Sequence, residues 1–193
     1  MYKRQVKHYV KTHYDTVFED YYKVATPRMI SMIKISVSDP SSPTDSEKEK
    51  LKEVQELLKD GKSFGDVAKD YSDDSTTKSA KGSLGVVDTT SNLTNTYGST
   101  INEAAFSLTE GQTSDVLTGT DGYYILKCTS TSKEKIKKKL KNVTIQSPLL
   151  TYDDYIIYLA FKTYDIEYKD AKIKKAVNEA IKEGLKSRAA ERK

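Results

Sequence analysis

Few side chains in this sequence could perform acid–base or nucleophilic chemistry. The chain has two histidines, His8 and His13, and a single cysteine, Cys128. Helical spacing predicts that both histidines are surface or packing residues, and a strand-like setting predicts that Cys128 is a buried, inert thiol. One cysteine excludes an intramolecular disulfide, and no zinc ligand set, Ser/His/acid set or phosphate-binding glycine loop can be placed. We therefore expect no metal and no cofactor.

Asp73 and Asp74 form an acidic pair directly before Ser75. A carboxylate in such a pair could act electrostatically on a nearby group. An acidic pair before Ser75 is equally typical of a loop in which a carboxylate accepts hydrogen bonds from the following turn. The sequence leaves both interpretations open.

The composition is typical of a globular protein that is neither disordered nor embedded in a membrane. Hydrophobic residues make up 36% of the chain and charged residues 31%, with a net charge of +4. Such a small imbalance argues against nucleic acid as the main partner. The basic stretch at residues 133–141 is better explained as a solvated helix face with Ile136 and Leu140 as its apolar pair. The longest apolar segment, residues 155–161, is far shorter than the ~20 residues that span a bilayer.

Glycine divides the chain into a turn-rich middle and two helical flanks. Eight of the nine glycines lie between Gly61 and Gly122, and only Gly184 lies outside. Turns need glycine's permissive backbone, whereas helix interiors are weakened by it. We therefore expect an N-terminal helical segment at residues 1–27, a mixed domain at 28–131 and a C-terminal helical segment at 132–193.

Both flanks show helical periodicity. An N-terminal apolar stripe repeats at spacings of three and four through Val6, Val10, Tyr14, Val17 and Tyr21. Near the C terminus, Thr151 and Asp154 can open an apolar helix that runs to Phe161. A final amphipathic helix carries Ile173, Val177, Ile181 and Leu185. The surface at residues 155–161 is apolar nearly all round, so we expect the N-terminal helix or another chain to cover it.

The middle of the chain alternates strands and helices. Capping-box spacing at Thr44 and Glu47, and again at Thr100 and Glu103, predicts two helix starts, and Gly61 suits the end of the first helix. A second short helix is predicted from residue 63, and residues 88–99 are predicted to form a polar loop. Strands are predicted at residues 29–37, 84–87, 114–117 and 123–128. This order favours an α+β fold in which helices pack on a small antiparallel sheet.

Four segments, in order, resemble signatures of the parvulin-type peptidyl-prolyl isomerases. Residues 28–37 resemble the family's opening strand, and FGDVAKDYS at residues 64–72 resembles its F-x-x-L-A-x-x-Y-S helix. The GSLG sequence at residues 82–85 resembles the family's G-D-L-G turn, with Ser83 in place of the usual aspartate. The AAFSL sequence at residues 104–108, followed by Gly111 and Ser114, resembles its A-A-F-x-L…G…S signature. The resemblance implies a parvulin-like (FKBP-like) fold for residues 28–131.

By matched position, the resemblance implies a peptide-binding pocket lined by four apolar residues, Leu84, Val87, Ile101 and Phe106. Such a pocket would fix a prolyl ring and keep water away from the rotating amide. The same residue types are also what the core of a small sheet domain requires. The loop that carries the family's pocket methionine aligns ambiguously, so neither Leu93 nor Tyr97 is assigned to that position.

Parvulins also carry two histidines whose hydrogen-bonded pair braces the floor of the active site. The matched positions here are Met32 and Tyr124, and the family's Gly-Tyr-His-Ile sequence reads Gly-Tyr-Tyr-Ile. Neither side chain can form an imidazole pair, which argues for weak or absent catalysis. Near a third family position, often Cys or Asp, the chain offers Asp73 and Asp74, and Asp74 is the match when one inserted residue is allowed downstream. The resemblance thus gives Asp74, Tyr124 and Met32 as the catalytic candidates.

The helical flanks, including DIEYKDAKIKKAV near the end, resemble those of the extracytoplasmic foldases of Gram-positive bacteria, the PrsA-like lipoproteins. That resemblance implies a location at the bacterial cell surface and unfolded or proline-containing polypeptides as partners. It also implies contact with a membrane only through a lipid anchor outside this chain. Residues 1–25 lack the apolar segment of a signal peptide, so we expect any leader to be absent from this chain.

Three functions follow as expectations. The first is a foldase that assists exported proteins by peptidyl-prolyl cis-trans isomerisation, with weakened activity. The second is a chaperone that holds unfolded polypeptides without catalysis, which the replacement of both histidines favours. The third is a homodimer formed through the helical flanks, in which residues 155–161 pair with a second copy.

Overall fold

The computed structural model describes residues 2–91, 93–164 and 166–191, and the chain divides into two compact units. One unit combines residues 1–24 with residues 140–193, and the other comprises residues 25–139. The domain boundaries inferred from the sequence, after residues 27 and 131, stay predictions.

Helices dominate the chain. They are α1 (Tyr2–Thr12), α2 (Tyr14–Ala25), α3 (Asp45–Lys59), α4 (Phe64–Tyr71), α5 (Ser75–Lys78), α6 (Leu93–Tyr97), α7 (Ser99–Ser107), α8 (Lys133–Leu140), α9 (Asp154–Thr163) and α10 (Ala171–Glu191). A short 3-10 helix spans Pro148–Leu150. None of the helices described is long and apolar enough to cross a membrane.

An antiparallel sheet forms the centre of the unit at residues 25–139. Its strands are β1 (Arg28–Ser36), β2 (Ser83–Val87), β3 (Leu117–Thr118) and β4 (Gly122–Ser130). Their spatial order is β2-β1-β4-β3. The two long strands, β1 and β4, carry the β-branched and aromatic runs seen in the sequence and pair along the middle. The third strand is shorter than predicted and is preceded by an isolated bridge between Thr113 and Lys127.

Helix α3 begins with the capping box that the sequence predicts. Thr44 Oγ1 accepts a hydrogen bond from Glu47 N at 3.3 Å, and Glu47 Oε2 accepts one from Thr44 N at 2.7 Å. The helix ends just before Gly61, also as predicted. The two reciprocal bonds satisfy N–H groups that lack partners within the helix.

The second predicted capping box is wrong. Helix α7 begins at Ser99 after Gly98, so Thr100 lies inside its first turn, and no side-chain hydrogen bond caps this start among the described residues. The polar loop predicted at residues 88–99 is wrong in part, because Leu93–Tyr97 forms α6. Leu93 is buried in the core, so tertiary packing stabilises a short helix that the polar composition does not predict.

Apolar side chains cover both faces of the sheet. Because residues alternate along a strand, Ile30 and Met32 of β1 point to one face, and Ile33 and Ile35 point to the other. The first pair packs with residues of α6 and α7, and the second packs with residues of α3 and α4. Full burial of each such side chain contributes about 1.5–3 kcal/mol. The sheet therefore separates two clusters, and the cluster under α6 and α7 contains the predicted site.

The helical unit carries the predicted N-terminal stripe on two helices rather than one. Val6 and Val10 are buried on α1, and Val17 and Tyr21 are buried on α2. Helix α1 packs against α9 and against the 3-10 helix. Tyr152 Oη donates a hydrogen bond of 2.8 Å to Asp20 Oδ2, which ties the segment before α9 to α2.

The start of α9 differs from its predicted cap. Asp153 Oδ1 accepts the capping hydrogen bond, which Tyr155 N donates at 2.7 Å. Thr151 instead follows the last residue of the 3-10 helix. The predicted pair of Thr151 and Asp154 is therefore wrong, because the chain turns once more before α9 begins.

Candidate active site

Met32 and Tyr124 lie on the same face of the sheet. In the β1–β4 pairing, Met32 is opposite Leu126 and Lys34 is opposite Tyr124, so Met32 and Tyr124 are diagonal neighbours. Both side chains are buried, with 0% and 1% of their surface exposed. The fold thus brings these two candidates together inside an apolar cluster.

Charged partners hold the hydroxyl of Tyr124 at the start of β4. Tyr124 Oη donates a hydrogen bond of 2.5 Å to Asp121 Oδ1, and Lys34 Nζ pairs with Asp121 Oδ2. Burial, and then the bond to Asp121, raise the pKa of Tyr124 well above its usual value. Hydrogen bonds from Lys34 and Tyr124 lower the pKa of Asp121. The phenol therefore stays protonated and acts as a donor, while the carboxylate stays ionised.

Neighbouring groups also fix the Tyr124 ring. A Cβ atom at Gly119 would lie 2.5 Å from Tyr124 Cε2, a distance that real side chains do not adopt. Glycine at this position therefore leaves the space that the ring occupies. Tyr97 of α6 packs edge-on to the ring, with 6.1 Å between the centroids. The ring is thus enclosed by the β3–β4 turn and by α6.

The four predicted pocket residues all belong to the cluster that contains Tyr124. Val87 and Ile101 are 4% and 0% exposed, so they form its interior. Leu84 and Phe106 are half-buried and reach the surface. Of the four, only Leu84 and Phe106 are therefore partly open to solvent, while Val87 and Ile101 lie in the interior of the cluster.

Two further side chains extend this accessible apolar surface. Tyr97 and Leu117 are half-buried against the same cluster. The sequence left Tyr97 without a role because its loop aligned ambiguously, and Leu117 showed only the pattern of a strand residue. Leu93, the alternative to Tyr97 in that alignment, is 7% exposed and packs inward.

Arg28 holds the end of α7, a role that the sequence did not indicate. Its Nη1 donates hydrogen bonds of 3.2, 2.7 and 3.0 Å to the carbonyl oxygens of Ala105, Phe106 and Leu108. Its guanidinium carbon also lies 5.2 Å from the centroid of the Phe106 ring. Because helix C termini leave carbonyl groups unpaired, this one cation fixes both the helix end and the Phe106 ring.

Asp74 forms the helix cap that was one of its two predicted roles. Its Oδ1 accepts a hydrogen bond of 3.2 Å from Thr76 N, and its Oδ2 accepts one of 2.6 Å from Thr77 Oγ1. Burial and, secondarily, the charge of Asp74 raise the pKa of Tyr97. The carboxylate therefore caps α5, and its negative charge also disfavours ionisation of Tyr97.

Asp73 connects the same loop to β1. Asp73 N donates a hydrogen bond of 2.8 Å to Lys34 O, and its Oδ2 accepts one of 2.9 Å from Ser36 N. Its other oxygen pairs with Lys50 Nζ at 2.5 Å. These contacts make Asp73 a structural residue that extends the backbone pairing of β1.

Neither histidine belongs to the unit that contains this cluster, and Cys128 is buried within the cluster. His8 and His13 belong to the helical unit, where the His13 ring stacks on Tyr9 with 4.3 Å between centroids. Cys128 is fully buried, and burial raises the pKa of its thiol, as expected of an inert cysteine. Within the described ranges, no three His, Cys, Asp or Glu side chains are placed to hold a metal ion.

The sheet, the helices on its two faces and the cluster around Tyr124 define an α+β domain of the isomerase type. Residues 32–130 match the family described as Rotamase, the PPIC-type PPIASE domain. The match covers just over half of the chain and includes all of the predicted site residues. The chain therefore belongs to the PPIC-type peptidyl-prolyl isomerase family, the parvulins, and the predicted parvulin-like fold is confirmed.

The relatives extend this similarity beyond the isomerase domain. The foldase protein PrsA of Staphylococcus aureus (strain MRSA252) is 34% identical over an alignment of 157 residues that covers 77% of this chain and 47% of that protein. The crystal structure of PrsA from Bacillus subtilis matches with a TM-score of 0.51 and 28% identity, over 92% of this chain and 65% of that one. This chain spans about half the length of the curated relatives that it matches.

Proposed function

We propose that this protein is a foldase that binds unfolded polypeptides and accelerates cis-trans isomerisation of their X-Pro bonds. The observation that carries the proposal is a half-buried apolar surface on the same cluster as Met32 and Tyr124, formed by Leu84, Tyr97, Phe106 and Leu117. Membership of the parvulin family and the similarity to PrsA foldases support it.

The proposed chemistry is the stabilisation of a twisted amide. Isomerisation breaks no covalent bond, but it is slow because the amide loses its resonance as it rotates. A catalyst has to bind the twisted amide more tightly than the planar one. The apolar surface would hold the prolyl ring and exclude water, and the carboxylate of Asp74 would favour the carbonyl carbon as it becomes electron-poor.

The identities of Met32 and Tyr124 determine how fast we expect isomerisation to be. They stand where the family has its histidine pair, so we expect slower isomerisation than in relatives that keep both histidines. The floor of the site would still be braced, because Asp121 accepts a hydrogen bond from the Tyr124 hydroxyl and is itself paired with Lys34. We therefore expect low isomerase activity together with a retained peptide-binding surface.

The test is the exchange rate of a short Ala-Pro peptide, measured by NMR with and without the full chain. Saturable acceleration supports the proposal, and no acceleration at micromolar protein would rule out isomerase activity. Phe106→Ala and Leu84→Ala should each lower the acceleration, because they remove accessible apolar surface. Ile173→Ala is the matched control, since Ile173 is an apolar side chain that is 56% exposed on α10 of the other unit.

A second candidate is a chaperone that holds unfolded polypeptides without catalysing isomerisation. The specific observation in its favour is that Met32 and Tyr124 provide no imidazole at either matched position. Suppression of aggregation of an unfolded client, without any change in peptide exchange, would support this candidate. Failure to bind an unfolded polypeptide in solution would remove it.

We further propose that the protein acts on exported polypeptides at the outer surface of a bacterial cell, with no nucleic acid as a partner. The similarity to PrsA is the support for this location. A homodimer through the helical flanks is the other partner that we propose. Sedimentation that finds only monomer across micromolar concentrations would exclude the dimer, and recovery of the protein in the cytosolic fraction of its host would exclude the location.

A further inference from the structure

We propose that Lys34 and Asp121 are positioning residues of the candidate site, which together hold the Tyr124 ring in one orientation as the floor beneath a bound proline-containing peptide. This inference rests on the proposed binding of peptide clients. It adds two residues for which neither the sequence patterns nor the family resemblance gave a role.

The three side chains form a closed set in which each contacts the other two. Asp121 uses both oxygens, because Oδ1 accepts the Tyr124 hydroxyl at 2.5 Å and Oδ2 pairs with Lys34 Nζ. Lys34 stands directly opposite Tyr124 in the β1–β4 register. Its Nζ lies 5.8 Å from the centroid of the Tyr124 ring. Displacing any one side chain would therefore remove one of the two contacts that each of the others makes within the set.

The backbone fixes where this set lies. Val37 N donates a hydrogen bond of 3.3 Å to Asp121 O, which ties the turn carrying the carboxylate to the end of β1. Lys34 N donates one of 3.1 Å to Ser72 Oγ, and Asp73 N donates one of 2.8 Å to Lys34 O. Both charged residues thus start from anchored positions, and only their side chains are free to adjust.

The solvent exposure of the Lys34–Asp121 ion pair indicates that the pair orients the Tyr124 ring more than it stabilises the fold. The Lys34 side chain is 17% exposed, but that of Asp121 is 58% exposed, and an ion pair with one partner open to water contributes little to folding. The Tyr124 hydroxyl, by contrast, lies in an apolar cluster, where a hydroxyl without an acceptor is costly. Without Asp121, the ring would have to tilt to bring its hydroxyl to water.

The test measures peptide binding and isomerisation in Lys34→Gln, Asp121→Ala and Tyr124→Phe. An aromatic ring that tilts, or that has lost the hydroxyl by which it is anchored, makes weaker contact with the prolyl ring in both the ground state and the transition state. We therefore expect the Kd and the KM for an Ala-Pro peptide to rise about threefold to tenfold while kcat stays within about twofold. Lys34→Arg should restore most of the affinity, because a guanidinium can pair with the same carboxylate.

The comparison of KM with kcat separates a positioning role from a merely structural one. A variant that only loses folded protein would show a lower kcat per total protein with an unchanged KM. If the three residues act as one set, Asp121→Ala with Tyr124→Phe should be no worse than the more severe single change. Additive losses, or an unchanged Kd in all three single variants, would overturn the proposal.

A matched ion pair in the same unit provides the control. Lys81 Nζ and Asp66 Oδ1 lie 2.9 Å apart at the surface, and Asp66→Asn should leave the Kd unchanged. A wild-type protein that binds the peptide without isomerising it would refute the isomerase function and leave the Kd comparison decisive for the positioning role. A wild-type protein that does not bind the peptide at all would refute both.

Discussion

The hydroxyl of Tyr124 and the Oδ1 carboxylate oxygen of Asp121 lie 2.5 Å apart, so a buried phenol and an ionised carboxylate share one short hydrogen bond. The cluster around the Tyr124 ring is otherwise apolar. In parvulins with histidine at this position, an imidazole can gain or lose a proton near neutral pH. Here the phenol keeps its proton, because burial and Asp121 raise its pKa.

Replacing Met32 and Tyr124 together by histidine should make the site sensitive to pH. In the wild-type protein, the raised pKa of Tyr124 and the lowered pKa of Asp121 keep both charge states constant across neutral pH. Lys34, Tyr97 and Asp74 are the other charged or titratable groups near the ring. We expect a flat exchange rate from about pH 5.5 to 8.5 in the wild-type protein, and an inflection near pH ~6.5 in the double variant. NMR exchange measured against pH checks this.

The single variant Tyr124→Phe is the control for that pH profile. It removes the hydroxyl without adding an imidazole, so its exchange rate should be flat with pH whatever its absolute value. An inflection at about pH 6.5 in the wild-type protein or in Tyr124→Phe would contradict the inference that the two imidazoles of the double variant cause the pH dependence.

Substitution of Gly119 by alanine should destabilise the central unit. The new Cβ would lie 2.5 Å from Tyr124 Cε2, so the ring has to move. We expect a loss of about 1–3 kcal/mol in the free energy of unfolding. Gly184→Ala is the matched control: its Cβ meets no atom within 4 Å in helix α10, and it should stabilise by about 0.5–1 kcal/mol. Urea unfolding measures both, and equal effects would show that the ring does not fill the space at Gly119.

Removal of the Arg28 guanidinium should loosen the end of α7. Arg28→Met leaves three carbonyl oxygens without their donor, and we expect a loss of about 1–3 kcal/mol in unfolding free energy, together with weaker peptide binding through Phe106. Arg28→Lys keeps the charge and should lose less. Chemical unfolding and peptide titration measure the two effects, and wild-type values for Arg28→Met would refute this role.

Thr44 and Thr100 both show the capping-box spacing, but their replacement by alanine should change the free energy of unfolding by different amounts. Thr44→Ala removes an observed capping box and should cost about 1 kcal/mol in unfolding free energy. Thr100→Ala changes a threonine inside the first turn of α7 and should stay within about 0.5 kcal/mol of the wild-type value. Thermal unfolding of both variants provides the comparison. Equal losses would mean that Thr100 also acts as a cap in solution.

Acid should destabilise the wild-type protein partly through Glu110. Hydrogen bonds, first from Thr131 N and then from Lys135, lower the pKa of Glu110 to about 2. A carboxyl whose pKa is lower in the folded state stabilises the protein above its unfolded pKa of about 4.3, and that contribution is lost as the pH falls towards 2. The free energy of unfolding, measured from pH 5 down to about 2.5, should therefore fall less steeply for Glu110→Gln than for the wild-type protein. Parallel curves for the two proteins would contradict this assignment.

Local sequence patterns accounted for much of the fold. Strand-like apolar runs predicted β1 and β4, and the Thr44 and Glu47 pair predicted the start of α3. The same spacing failed at Thr100, because a capping box requires the threonine to lie outside the helix, and the chain there is already helical. Spacing alone does not reveal where the backbone becomes helical when a buried residue such as Leu93 adds an extra helix just before it.

For the candidate site as well, some features follow from the sequence and others only from the tertiary structure. The sequence by itself determined the family signatures, the apolar residues predicted to line a pocket, and the presence of Met32 and Tyr124 at the two positions where the family has histidine, because residue identity and spacing are local properties. Only the tertiary structure decided that Lys34 meets Asp121, a residue 87 positions away, and that both hold Tyr124. That pairing depends on the register between β1 and β4 and on the turn before β4, which bring distant side chains together through contacts that no local pattern encodes.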